Sequence, residues 1–73
     1  MNELKLKKTI GSNLRKARKA KRLTQREVAE VVGVTANYYA TLEQGAAIAS
    51  VETLYEIIAA LGVKASDVFP DSV

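Results

Sequence analysis

Neither cysteine nor histidine occurs in this 73-residue chain. Disulfides, thiolate nucleophiles, the commonest metal ligand and the commonest general base are therefore missing. The chemistry left is that of carboxylates, cations, amides and hydroxyls. Glu27 and Glu30 stand three apart, and Glu52 and Glu56 four apart, so each pair shares one face of a helix. Paired carboxylates of this kind are usually solvated, and neither catalysis nor metal binding is expected of them. The run Ala36, Asn37, Ala40 and Thr41 carries a different chemistry. The Asn37 amide can pair bidentately with adenine, and the two alanines and the Thr41 methyl can pack on thymine methyls. At 100° per residue from Ala36, Ala40 lies at about 40°, Asn37 at about 100° and Thr41 at about 140°. Tyr39 and Leu42 fall at about 300° and 240°, on the opposite side. The four short side chains thus form one strip of a helix.

That helix needs neighbours to hold it, and the chain supplies cap signals for them. Thr24-Gln25-Arg26-Glu27 reads as a capping box, with Thr24 and Glu27 satisfying each other's backbone N–H groups. Val28, Ala29 and Val32 follow as an inward face, and Gly33 stops the helix after two turns. Thr35 begins the next helix and Gly45 ends it. Two short helices joined through a glycine-containing turn form a helix-turn-helix. Upstream, Leu6, Ile10, Leu14 and Ala17 make a helical stripe in a segment otherwise rich in Lys and Arg. Downstream, Ser50 opens a helix that ends at Gly62, with Val51, Leu54, Ile57, Ile58 and Leu61 as its buried stripe. A last turn from Ala65 to Phe69 stops at Pro70, the only proline. The expected architecture is all-α, a single domain over residues 1–73. Its five short helices fall at about residues 4–21, 25–32, 36–44, 51–61 and 65–69.

Charge is unevenly placed. Residues 1–26 hold ten of the eleven basic residues and one of the eight acids, so they carry +9 and the remainder carries −6. A solvated basic helix would explain the run alone, but a polarised molecule also presents a positive face to a polyanion. No apolar stretch approaches the roughly 20 residues of a membrane span, and no apolar leader opens the chain. A cytoplasmic location is expected.

From Ile10 to Phe69 the chain resembles the Cro/repressor-type, or xenobiotic-response-element type, helix-turn-helix family. The matching residues are Ile10-Gly11, Leu14 to Lys19, Leu23-Thr24-Gln25, Glu27-Val28-Ala29, Gly33-Val34-Thr35, Tyr38, Leu42 to Gly45, Ser50 to Leu54 and Ala60 to Val63. The resemblance implies a lambda-repressor-like fold whose third helix enters the major groove of double-stranded DNA. It implies base contacts from the Ala36, Asn37, Ala40 and Thr41 strip. Gln25 matches a phosphate-gripping position, and a helix N-terminus suits an anion independently. Arg15, Lys19, Arg26, Thr35 and Tyr38 are further candidates for the DNA backbone. Arg18 and Glu43 match a structural ion pair. The chain departs from the pattern in three places. Arg22 replaces the usual glycine before Leu23, the loop Ala46-Ala47-Ile48-Ala49 is apolar where basic and polar residues are usual, and Lys64 replaces a capping Ser or Thr.

One recognition helix reads only a few base pairs, so a homodimer on a palindromic operator is expected. Ile48, Tyr55 and Ala59 are apolar beyond what the core stripe needs and are the candidate dimer interface. No cofactor or metal ion is expected, nor a small-molecule ligand or membrane partner. Within the family, stand-alone chains of this length resemble phage repressors and the controller proteins of restriction–modification systems. The alternative is an antitoxin that pairs a DNA-binding domain with a protein partner.

Overall fold

The computed structural model describes residues 2–70. Five helices follow one another: α1 (Glu3–Ala20), α2 (Gln25–Val32), α3 (Ala36–Glu43), α4 (Val51–Leu61) and α5 (Ala65–Val68). No strand occurs among the described residues. The expected bounds differ only at ends. α1 begins and ends one residue earlier, α3 stops at Glu43 with Gln44 as its cap, and α5 stops at Val68.

Each boundary has a local cause. Asn2 caps α1 through its side chain, which accepts from the Lys5 N–H at 2.8 Å. At α2 the capping box is complete: Glu27 N–H donates to Thr24 Oγ1 at 3.0 Å, and Thr24 N–H donates to Glu27 Oε1 at 2.8 Å. Thr35 and Ser50 accept from the N–H groups of Tyr38 and Thr53. Gly33 closes α2 at φ 85°, a left-handed conformation that glycine adopts without strain. Arg22 is the one non-glycine with positive φ among the described residues, at 58°. The turn into α2 therefore keeps the geometry for which glycine is usual, and an arginine bears the strain. Lys64 makes no side-chain cap. The Asp67 carboxylate instead accepts from the Lys64 N–H at 3.0 Å, so α5 is capped from within.

The helices pack around a single core. Leu14, Val28, Tyr39, Ile57, Leu61 and Val68 are its largest fully enclosed side chains, contributed by all five helices. α1 packs on α3 and α5, α2 on α3 and α4, and α4 on α5. Asn13 Nδ2 donates to the Val68 carbonyl at 2.8 Å and ties α5 to α1. The expected stripe of α4 is corrected at one residue, because Val51 is 80% exposed. Val51 lies about 60° round α4 from Leu54, past the edge that the neighbouring helices cover. Ile58, at about 40°, is half-buried. No helix among the described residues is long and apolar enough to cross a membrane.

Candidate nucleic-acid interface

α3 lies at the surface with Tyr39 and Leu42 turned into the core. Of the strip read from the sequence, Asn37 is exposed, while Ala40 and Thr41 are half-buried. Ala36 is also half-buried and packs against the core. Helical periodicity groups Ala36 with the strip but does not register its packing against the core. The Thr41 hydroxyl donates to the Tyr38 carbonyl at 2.6 Å. Its proton is committed to the helix, which leaves a methyl group and an acceptor lone pair for recognition. Thr35 and Tyr38 flank the strip and are exposed.

Behind α3 lies a buried polar cluster. Arg18 Nε donates to Glu43 Oε2 at 2.7 Å, and Arg18 Nη2 donates to Glu43 Oε1 at 3.1 Å. The remaining arm of the guanidinium, Nη1, donates to the Leu23 carbonyl at 2.8 Å. Gln25 Nε2 donates to Glu43 Oε1 at 3.1 Å. One ion pair thus joins α1, the turn before α2, the first residue of α2 and the end of α3. Burial by itself would raise the Glu43 carboxyl. Hydrogen bonds from Arg18 and Gln25 outweigh it and hold the group below its ordinary value. The bond to Glu43 raises Arg18 in turn. Burial pushes the Tyr39 phenol upward, and its enclosed hydroxyl lies against the pair without completing a hydrogen bond.

The cationic flank belongs to α1. Lys8, Arg15 and Lys19 are exposed and fall within about 80° of Gly11 on one side of the helix. Gly11 itself lies against the backbone at the end of α3, so these cations border that helix. Lys8 was not among the residues expected at the interface, although its spacing to Arg15 and Lys19, seven and eleven residues on, puts it on their face. Among the described residues of α1, only Lys7 and Arg18 pair with an acid, Lys7 with Glu3 at 3.2 Å. Arg26 is exposed in the first turn of α2. The carboxylate pairs Glu27/Glu30 and Glu52/Glu56 are exposed, and no metal-holding group of acids gathers among the described residues.

A second feature lies on another face. Ile48, Val51, Tyr55 and Phe69 are exposed around an apolar groove that Ala49, Leu54, Ile58 and Ala65 also line. Tyr55, at 73% exposure, and Ile48 were expected on such a surface. Val51 and Phe69 were not. Ala59 is exposed but lies about 40° further round α4 than Tyr55, outside the groove lining.

Comparison with known proteins gives a consistent result. The helix-turn-helix family matches residues 14–68. The HTH-type transcriptional regulator y4dJ of Sinorhizobium fredii is 43% identical over 58 residues, covering 80% of this chain and 75% of that protein. Control protein C.MunI of a Mycoplasma species is 35% identical over 72 residues, 97% of this chain and 95% of its own. Among solved structures, the clp gene regulator ClgR of Corynebacterium glutamicum superposes with a TM-score of 0.82 at 38% identity, over 86% of this chain and 82% of that one. The restriction-modification controller protein C.AhdI of Aeromonas hydrophila superposes with a TM-score of 0.80 at 27% identity, over 85% and 94%.

Proposed function

The chain belongs to the Cro/repressor-type helix-turn-helix family of DNA-binding transcriptional regulators, and on that premise we propose that α3 lies in the major groove with Asn37 on an adenine edge. Ala40 and Thr41 line the same strip and favour thymine methyls beside it, with Ala36 in a lesser part. Gln25, Thr35 and Tyr38 meet phosphates around the groove, and Arg15, Lys19 and Arg26, with Lys8 added, neutralise the backbone. The observation that carries this reading is the exposure of Asn37 on α3 beside a face of α1 whose cations are not paired with acids among the described residues.

The groove rimmed by Ile48, Val51, Tyr55 and Phe69 is the surface for a second copy of the chain. An isologous contact there would set two recognition helices about 34 Å apart on a palindromic operator. Activity would then follow protein concentration through coupled dimerisation and DNA binding. The end-to-end match with control protein C.MunI and the likeness to C.AhdI favour a controller-type regulator. Selection of bound fragments from the source genome tests the proposal. An enriched inverted repeat near a promoter supports it, and recovery of fragments with no shared sequence contradicts it.

A further inference from the structure

We propose that Glu43 is a positioning residue that fixes the Gln25 amide in the orientation needed to grip a phosphate. This rests on the reading of Gln25 as a phosphate contact. An amide presents two N–H donors on one side and a carbonyl acceptor on the other. Phosphate oxygens only accept, so an amide turned the wrong way repels the backbone instead of binding it. The Glu43 side chain is 2% exposed and its carboxylate is ionised against Arg18, so it too only accepts. Facing it, Gln25 must present its nitrogen, as it does at 3.1 Å. One N–H is then consumed, and the second remains for DNA. The carboxylate cannot swing away, because Arg18 holds both of its oxygens at 2.7 and 3.1 Å. The same guanidinium holds the Leu23 carbonyl, two residues before Gln25. The α2 N-terminus is therefore tied to the end of α3 through backbone and side chain together, before any DNA arrives. Preorganisation of this kind removes an ordering cost from binding.

Side-chain amide resonances of the full chain, isotope-labelled and free of DNA, test the lock directly. The two Nε2 protons of Gln25 should be widely split, with one slow to exchange, unlike those of exposed Gln44. In Glu43→Gln the splitting should fall to that of Gln44. Binding to a nonspecific duplex should weaken roughly ten- to a hundredfold in Gln25→Ala, the range of a hydrogen bond to a charged group. Glu43→Gln should lose a similar factor, and the double variant should lose no more than either. Wild-type Gln25 resonances like those of Gln44 would overturn the lock, and so would fully additive losses. Gln25→Ala binding as wild type would overturn the phosphate grip itself. Should Glu43→Gln fail to fold, the wild-type spectra still decide: added duplex must shift one Nε2 proton and leave the Glu43-bound one in place.

Discussion

Gly11 of α1 lies so close to Glu43 at the end of α3 that an added Cβ would stand 2.5 Å from the Glu43 carbonyl oxygen and 2.9 Å from its carbonyl carbon. The recognition helix is therefore seated by direct backbone contact with α1. Alanine within a helix ordinarily gains about 1 kcal/mol over glycine. Here that gain opposes an overlap with backbone that has no rotamer to yield, at the upper end of the roughly 1–3 kcal/mol seen for overpacking. Gly11→Ala should lose about 2 kcal/mol of stability in urea denaturation, the reverse of the helix-propensity effect.

The Arg18–Glu43 pair should dominate the acid response. Its side chains are only 11% and 2% exposed. Arg18→Met should cost about 3 kcal/mol at pH 7 by stranding a buried carboxylate. The folded chain holds Glu43 below its ordinary value of 4.5, so it binds fewer protons than the unfolded chain. Wild-type stability from this pair is complete above pH 4.5 and falls as pH drops below it. In Arg18→Met the stranded carboxylate gains by taking up a proton. Denaturation at pH 7 and pH 3 should therefore show the gap between the two proteins narrowing in acid.

Caps and stops made the helices legible in advance. Thr24 with Glu27, Thr35, Ser50, Gly33 and Gly62 act within a few residues of chain, and their effects do not depend on tertiary packing. The positive φ at Arg22 was legible only as a mismatch with a family pattern. What stayed hidden depends on how helices lie across one another. Periodicity grouped Val51 with Leu54 and Leu61, yet the packed neighbours of α4 stop short of Val51. Likewise Ala36 shares a strip with Asn37, but the core reaches under one and not the other. The Gln25–Glu43 hydrogen bond spans 18 residues and required three elements in register.

The apolar groove yields a prediction about assembly. Tyr55 stands at its rim with 73% of its surface exposed. Tyr55→Glu should leave folding intact and weaken self-association at least tenfold. Equilibrium sedimentation at micromolar concentrations checks this, and a wild-type chain that is monomeric throughout would remove the dimer.

Arg15 and Lys8 should act through phosphate alone. Arg15→Ala should weaken binding to every duplex alike and lower the slope of log affinity against log salt by about one.

Competition between the selected operator and a random duplex at physiological salt, with wild type and Asn37→Ala, tests the reading of base edges most directly. The account predicts that Asn37→Ala loses roughly 1–3 kcal/mol on the operator and nothing on the random duplex. Equal losses on both, or no loss on either, would contradict a recognition helix that reads sequence through Asn37.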